Sequence, residues 1–333
     1  MSHASRPKTA AIACFGEALI DFLARPAQAP GQPRQFTEHA GGAPANVAVG
    51  VARLGGDARF VGMLSTDMFG DFLLSEFERY GVDVAQVRRT DVARTALAFV
   101  SLAGGGERSF NFYRPPAADL LFRPSDFDVA AFGGLAILHV CSNSLTAPDI
   151  ADSTLHGMRL AADAGALVSM DLNLRPALWP RGEDPSPALW RALERAQLVK
   201  LSREELAFLA REPGEDAVRA RLFAHAAQAV VVTDGAGPIR WWTPDTAGEA
   251  PTFPVDPIDT TAAGDAFVAG LLQRIVARGL AAGDLAAAFA DADTRDDLLR
   301  HAAAAGALAT TRFGAFAAMP ALSDVRALLE TAT

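Results

Sequence analysis

The chain has 333 residues, of which 50% are hydrophobic and 21% are charged, and its formal net charge is −9. This composition is typical of a folded globular protein and excludes a collagen-like, coiled-coil or disordered chain. The negative net charge argues against generic binding to nucleic acid or to anionic membranes, although a local site can still be positively charged and bind an anion.

Lysine and cysteine are scarce, and both facts narrow the possible chemistry. The only lysines are Lys8 and Lys200, and neither follows a glycine as the Walker A loop requires. The only cysteines, Cys14 and Cys141, form neither a CxxC pair nor a disulfide framework, which favours a reducing cytoplasm. Residues 1–9 lack the apolar run of a signal peptide, and no apolar run reaches about 18 residues, so we expect a cytoplasmic chain without a membrane span.

Short apolar runs separated by glycine turns mark the predicted elements in the first part of the chain. Residues 10–15 predict a buried strand, and the stretch at 25–34, rich in proline, glutamine and glycine, predicts an exposed excursion. A glycine-rich turn at 41–46 opens a segment with helical apolar spacing. The elements that follow are a helix at 47–54, a strand at 58–64, a helix at 71–80 and a hairpin whose strands, 95–102 and 109–113, flank the glycines 104–106.

From residue 136 onward, predicted strands and helices alternate regularly. The predicted strands lie at 136–141, 167–171, 198–201, 229–233 and 239–242, and the predicted helices at 149–164, 187–196, 204–211, 218–226, 263–278 and 298–311. This alternation indicates βαβ units, an α/β fold and a doubly wound parallel sheet. The earlier hairpin lies outside the pattern, so we expect a small β element that does not form an independent domain.

The sharpest chemical pattern is the segment 259–267, which reads DTTAAGDAF. Small residues lie where a loop turns into a helix, and the unsatisfied N–H groups of a helix N-terminus bind anions. Asp265 falls in the first helical turn. It is either a simple N-terminal acidic residue favoured by the helix dipole or a general base beside an anion site, and the spacing alone does not decide between them.

This segment resembles the C-terminal signature of the ribokinase-like (PfkB) carbohydrate kinases, with Ala262 where glycine is common. Residues 41–48, GGAPANVA, resemble the Gly-Gly…Asn element of the same family and precede the first segment in the family's order. The resemblance covers roughly residues 11–320, after a tail at 1–10. It implies a three-layer αβα body with a mostly parallel doubly wound sheet, and a small β lid inserted at about 22–38 and 94–115.

The resemblance also implies the residues that carry the transfer and bind the sugar. Asp265 would be the general base, and Ala262, Ala263 and Gly264 would form the anion hole. The residues implied on the sugar side are Asp21, Gly41, Gly42, Asn46 and Asp265 itself. Each also has a plain structural interpretation: a turn cap for Asp21, a tight turn for the two glycines and a helix cap for Asn46.

Two further segments resemble the family's nucleotide elements and imply ATP with Mg²⁺. Residues 171–175 resemble its Asp-x-Asn-x-Arg segment, and residues 202–205 resemble its Asn-x-x-Glu element with serine in place of asparagine. The nucleotide contacts implied are Asn173, Arg175, Ser202, Glu205, Thr233, Gly235 and Gly264, with Glu205 acting on Mg²⁺ through water. A K⁺ site is implied at Asp259, Thr261, Ala309, Arg312 and Gly314, mostly through backbone carbonyls.

Residues 112–119, FYRPPAAD, resemble the bacterial fructokinases within the family. Arg114 would then face the substrate from the lid, where a guanidinium can donate to sugar hydroxyls or hold a carboxylate. We therefore expect an ATP-dependent phosphotransferase acting on O6 of D-fructose. The alternatives are 2-keto-3-deoxygluconate or another sugar as the acceptor.

Two functions of other classes remain as alternatives. A non-catalytic sugar- or nucleotide-binding protein on the same fold would be signalled by loss of the acidic base, whereas Asp265 is present. A dinucleotide-dependent oxidoreductase is disfavoured because no G-x-G-x-x-G motif occurs. The expected partners are a small sugar and Mg-ATP, without nucleic acid or membrane, in a monomer or in a homodimer formed through the lid.

Overall fold

Two β-sheets organise the residues that the structure, a computed structural model, describes, namely 10–25, 33–102 and 108–331. Their strands are β1 (Ala11–Phe15), β2 (Leu19–Ala24), β3 (Phe36–Gly41), β4 (Ala58–Ser65), β5 (Asp83–Thr90), β6 (Leu97–Leu102), β7 (Arg108–Tyr113), β8 (Leu135–Cys141), β9 (Leu167–Asp171), β10 (Leu198–Ser202), β11 (Ala229–Thr233), β12 (Ile239–Trp242) and β13 (Ala247–Ala250). The larger sheet has the order β13-β12-β11-β10-β9-β8-β1-β4-β5, and the small sheet has the order β3-β2-β6-β7.

Helices cover both faces of the larger sheet. They are α1 (Ala43–Arg53), α2 (Met68–Arg79), α3 (Pro148–Asp163), α4 (Ser186–Leu193), α5 (Arg203–Leu209), α6 (Glu215–Phe223), α7 (Ala263–Ala277), α8 (Leu285–Ala290), α9 (Ala292–Ala309) and α10 (Leu322–Thr331). Among the described residues, no single helix is long and apolar enough to cross a membrane, and one pair, α7 with Ala282–Ala290, passes that test only when joined across a 100° bend.

The strand order of the larger sheet creates a crevice beside β1. From β1 the chain moves to β4 and β5 on one side, and then returns to β8 on the other side. The pairs from β5 to β11 are parallel, and only β12 and β13 run antiparallel. In a doubly wound sheet, ligands bind at the carboxyl ends of the strands where the order reverses. The fold therefore places its crevice at the ends of β1 and β8.

The central strand β1 is buried on both faces, which explains its continuous apolar run. Ile12 and Cys14 pack into the core on one side of the sheet, while Ala13 and Phe15 pack into the core on the other. Parallel strands covered by helices on both faces show this pattern. Helix α7 buries Phe267, Leu271 and Ile275 in the first of these cores, and this packing fixes its N-terminus at the sheet edge.

The α/β fold with a mostly parallel sheet and a small added β element is confirmed. The structure adds β2, β3, β5 and β13, which the sequence patterns did not predict, and starts the last long helix at Ala292 rather than at 298. The strands β6 and β7 lie where the hairpin was predicted. Its glycine tip at 104–106, most of the excursion at 25–34 and the tail at 1–9 lie outside the described residues.

Candidate active site

The N-terminus of α7 reaches a cavity through Ala262 and Asp265, and no side chain caps it by a hydrogen bond. Ala262 precedes the helix in the left-handed conformation, with φ 58°. The N–H groups of a first turn have no acceptor within the helix and lie at the positive end of its dipole. Because Ala262, Ala263 and Gly264 carry at most a methyl group, an anion can approach these N–H groups closely.

Asp265 lies in this turn and is only 6% exposed. Two carboxamides hold its carboxylate: Asn46 of α1 donates from Nδ2 to Oδ2 at 2.7 Å, and Asn173 donates from Nδ2 to Oδ1 at 3.0 Å. Burial raises the pKa of Asp265 to about 7, although the hydrogen bond from Asn46 favours the ionised form. A carboxylate with a pKa near neutrality is suited to accept a proton.

The two asparagines that hold Asp265 each keep an acceptor for a ligand. Within the described residues, Oδ1 of Asn46 and Oδ1 of Asn173 are buried and have no hydrogen-bond partner. Asn173 adopts the left-handed conformation, with φ 42°. A buried acceptor without a partner costs free energy, so both oxygens indicate that a hydroxyl donor belongs in the space beside them.

The small sheet brings Asp21 to the same cavity through a close approach to Gly41. Asp21 of β2 pairs with His39 of β3, and a Cβ atom on Gly41 would lie 2.2 Å from Oδ2 of Asp21. Gly42, with φ 107°, leads into α1. Only glycine therefore fits between the Asp21 carboxylate and the start of α1, and this explains the Gly-Gly pair.

Glu17 and Asn143 form the floor of the cavity at the ends of β1 and β8. Asn143 donates from Nδ2 to Oε1 of Glu17 at 2.9 Å, and Ala43 donates its backbone N–H to the same oxygen at 3.1 Å. Burial raises the pKa of Glu17, although the positive charge of Arg114 opposes this shift. The sequence patterns gave no role to Glu17 or Asn143. Their signal was position, since each lies two residues after the end of a buried strand.

The cavity between these elements has a volume of about 380 Å³, which is within the range of small-molecule sites. Its wall is about half polar and half apolar, and Phe112, Leu19 and Leu178 supply part of the apolar surface. It is lined by Glu17, Leu19, Asp21, Gly42, Ala43, Asn46, Phe112, Asn143, Asn173, Arg175, Leu178, Thr260, Thr261, Ala262 and Asp265. A small molecule rich in hydroxyl groups matches this wall.

The structure does not place Arg114 where the sequence analysis expected it, facing the substrate. Arg114 is 2% exposed and forms a buried ion pair with Asp119, at 2.8 Å from Nε and 2.6 Å from Nη2. Its Nη1 donates to the backbone oxygen of Asn143 at 2.7 Å and to Thr146. The guanidinium is thus occupied behind the cavity floor, where it supports Asn143 and Glu17, and it is not among the residues that line the cavity.

The ends of β9 and β10 form the other side of the site. Glu205 of α5 accepts backbone N–H bonds from Leu174 at 2.8 Å and from Ser202 at 2.7 Å, and Ser202 caps α5 by accepting from the N–H of Glu205. Burial raises the pKa of Glu205. Each of its oxygens keeps a second lone pair, so the carboxylate can still accept a bond from a water molecule on Mg²⁺.

The remaining residues assigned to the nucleotide also lie at the carboxyl edge of the sheet. Arg175 lines the cavity and its charge favours ionised Asp265. Thr233 ends β11 directly beside Ser202 in the register of the sheet, and Gly235 follows in a turn with φ 53°. The described residues contain no group of three His, Cys, Asp or Glu side chains that could hold a metal ion by themselves. A Mg²⁺ ion here would depend on phosphate oxygens and water.

Two loops meet where the sequence implied a K⁺ site. Asp259 is 2% exposed, and its carboxylate accepts backbone N–H bonds from Thr261 at 2.7 Å and from Gly314 at 3.2 Å. The backbone oxygen of Thr310 accepts the N–H of Asp259 at 3.0 Å, which ties the segment after Ala309 to the same place. The side chain of Arg312 pairs with Asp324, which leaves its backbone carbonyl as its possible ligand.

Comparison with known proteins shows the family to which the chain belongs. A model of the family described as pfkB family carbohydrate kinase matches residues 9–322. The probable fructokinase-4 of Arabidopsis thaliana is 39% identical, over 98% of this chain and 99% of that protein. The crystal structure of fructokinase with bound ATP from Xylella fastidiosa is 53% identical and has a TM-score of 0.93, over 97% of this chain and 99% of that chain. A double mutant of Vibrio cholerae fructokinase with fructose, ADP and potassium ion bound is 33% identical, with a TM-score of 0.84 over 98% and 100% of the two chains.

Proposed function

The chain belongs to the pfkB family of carbohydrate kinases, and we propose that it is an ATP-dependent fructokinase that transfers the γ-phosphoryl group to O6 of D-fructose. The observation that carries this proposal is the position of Asp265. Its carboxylate lies in a cavity of about 380 Å³ and in the same helical turn as the N–H groups that suit a phosphate. A base and an anion site within one turn are what transfer to a hydroxyl requires.

In this mechanism the chain positions the sugar hydroxyl and takes its proton. Asn46 and Asn173 hold the Asp265 carboxylate from two sides, so that it points at the hydroxyl that attacks. The N–H groups of residues 262–265 stabilise the charge on the transferring phosphate. Mg²⁺, when bound with ATP, supplies charge neutralisation at the phosphates, and Glu205 would meet it through water.

The wall of the cavity favours a neutral sugar over a sugar acid. Glu17 and Asp21 both line the cavity, while the charge of Arg114 is paired with Asp119 behind the floor. A substrate carboxylate beside Glu17 and Asp21 would meet two carboxylates, and the guanidinium that lines the wall, Arg175, follows β9 among the residues assigned to the nucleotide. Fructose offers hydroxyl donors to the same oxygens. The placement of Arg114 therefore supports fructose over 2-keto-3-deoxygluconate.

A coupled assay of ADP release with Mg-ATP tests the function directly. The panel contains fructose, 2-keto-3-deoxygluconate, ribose, glucose, tagatose and adenosine at matched concentrations. We expect fructose to give the highest kcat/KM. Preference for 2-keto-3-deoxygluconate would overturn the argument from Arg114 and leave the kinase assignment intact, and absence of turnover on every sugar would favour a binding protein.

The rate is expected to increase with pH through neutrality. Asp265 accepts a proton only when ionised, and its pKa is about 7 because burial disfavours the charge. We predict that kcat/KM for fructose rises with a single acid limb near pH 7 and reaches a plateau above about pH 8. Measurement from pH 5.5 to 9.5 at constant ionic strength checks this. A flat profile across that range would remove Asp265 from the role of base.

A monovalent cation is proposed at the junction of the two loops around Asp259. The buried carboxylate, its two backbone donors and the converging segments at 259–261 and 309–314 support this assignment, as does the potassium ion named with the Vibrio relative. We predict that replacing KCl by tetramethylammonium chloride at equal ionic strength lowers kcat severalfold. Equal rates in the two salts would contradict the assignment.

We also propose a homodimer through the small sheet and a cytoplasmic location. The rings of Phe36 and Tyr113 lie on that sheet with 38% and 67% of their surface exposed. Cys14 and Cys141 are free thiols, as expected in a reducing compartment. Light scattering at micromolar concentration tests the assembly: twice the chain mass supports the dimer, and the mass of one chain assigns a monomer.

A further inference from the structure

Lys200 is a buried cation to which the mechanism above gives no role. It lies on β10 and is 7% exposed. Its Nζ lies 3.2 Å from both carboxylate oxygens of Asp171, the last residue of the neighbouring strand β9. Lysine is rarely buried without a specific reason, and this chain has only two lysines in 333 residues.

The ammonium group lies directly behind the first turn of α7. A Cβ atom on Gly264 would lie 3.1 Å from Nζ of Lys200, so the lysine head packs against the backbone of the anion-binding turn. A side chain at 264 would require the ammonium group to shift by a few tenths of an ångström. The ammonium therefore lies in close contact with the turn whose N–H groups suit an anion.

The charges around this turn show that Lys200 balances several carboxylates. Burial alone would lower the pKa of Lys200, but Asp171, Glu205 and Asp265 raise it, so the group is charged at neutral pH. In return, Lys200 and Arg175 favour the ionised form of Asp265, whereas Asp171 opposes it. These are the charged groups that face Asp265 from β9, β10 and the loop after β9.

We propose that Lys200 is a positioning residue for phosphoryl transfer: its ammonium, anchored by Asp171 behind Gly264, supplies buried positive charge that keeps Asp265 ionised and strengthens the field of the phosphate-binding N–H groups. This inference rests on the proposed kinase function. It differs from a purely structural role, in which Lys200 would only neutralise Asp171. The two roles predict different pH profiles for a folded variant that lacks the ammonium group: the acid limb moves only if Lys200 acts on Asp265.

The test compares Lys200→Met and Lys200→Arg with the wild type, once the wild type has been shown to phosphorylate fructose. If the wild type does not phosphorylate fructose, the proposed function is wrong, and this result is distinct from a failure of the role proposed for Lys200. Lys200→Met should move the acid limb of kcat/KM upward by about one pH unit, and this shift lowers the ionised fraction of Asp265 at pH 7 about fivefold. The KM for fructose should change little. Lys200→Arg keeps the charge and should restore most of the profile.

The double variant D171N/K200M guards against misfolding, since removing a buried ion pair as a unit is commonly tolerated. Because Asp171 and Lys200 act on Asp265 in opposite directions, the double variant should return the acid limb to near its wild-type position, whereas Lys200→Met alone keeps it raised. Arg274→Met, which removes a cation at the other end of α7 that pairs with Asp297, is the matched control and should keep the wild-type pH profile. A folded Lys200→Met with the wild-type acid limb and kcat, or a folded double variant whose acid limb stays as high as that of Lys200→Met, would overturn the proposal.

Discussion

Replacing Asp265 with asparagine is expected to lower kcat for fructose phosphorylation by roughly a thousandfold, because the hydroxyl then loses its proton acceptor. The size and hydrogen-bonding shape of the side chain are kept. Asn46 or Asn173 can rotate its carboxamide so that the free Oδ1 accepts from the new amide. The KM for fructose should therefore stay within about threefold of the wild type, since binding contacts survive while the transition state loses its base.

The same variant should be more stable than the wild type at pH 8. The pKa of Asp265 is about 7 in the folded protein, above the value near 4 of an unfolded chain, so the folded state binds a proton more tightly. The wild type accordingly loses stability as the pH rises from 4 to 7, and asparagine does not. The melting temperature of Asp265→Asn should exceed that of the wild type at pH 8 and match it near pH 4. A kcat close to that of the wild type would exclude Asp265 as the base.

Replacing Arg114 with methionine is expected to destabilise the fold by roughly 3–5 kcal/mol, because Asp119 and Glu17 would remain buried without their cation. The loss should be smaller at pH 5 than at pH 8, since burial raises the pKa of Glu17 and its protonation relieves part of the uncompensated charge. Urea unfolding at both pH values measures it. The double variant R114M/D119L should recover part of the loss, since it removes the ion pair as a unit.

The kinetics of Arg114→Met distinguish a structural role from direct contact with the sugar. With the guanidinium behind the cavity floor, we expect the fraction that remains folded to keep a KM for fructose close to that of the wild type. If Arg114 reached the substrate from the small sheet, as the sequence implied, the KM would rise at least tenfold with little loss of stability. That second pattern would contradict the buried ion pair.

Apart from the hairpin β6–β7, which its glycine-rich turn marks, the strands that sequence patterns predicted belong to the larger sheet with its buried core. The apolar runs of β1, β9 and β11 follow from packing on both faces of a parallel sheet. The strands that were missed lie at edges or in the small sheet. No residue of β5 is fully buried, and β3 carries the polar residues Thr37, Glu38 and His39. Neither strand therefore shows a continuous apolar run in the sequence.

Sequence patterns pointed to several residues that the structure brings to one cavity, but not to the contacts between them. Small residues before Asp265 indicated an anion site, because steric access and a helix N-terminus are local properties. The pairing of Arg114 with Asp119, by contrast, depends on a turn that brings the two side chains together in the core. The approach of Lys200 to Gly264 depends on two elements that are 64 residues apart in the sequence. Local spacing carries no information about either contact.

The position of the new phosphate on the sugar tests the central claim most directly. Uniformly ¹³C-labelled fructose is incubated with the protein and Mg-ATP, and the product is read by ¹³C NMR, in which phosphorus couples to the carbon that carries the ester. The proposed transfer to O6 predicts coupling at C6 and none at C1. Coupling at C1, or fructose left unmodified by a folded protein that binds ATP, would contradict the account.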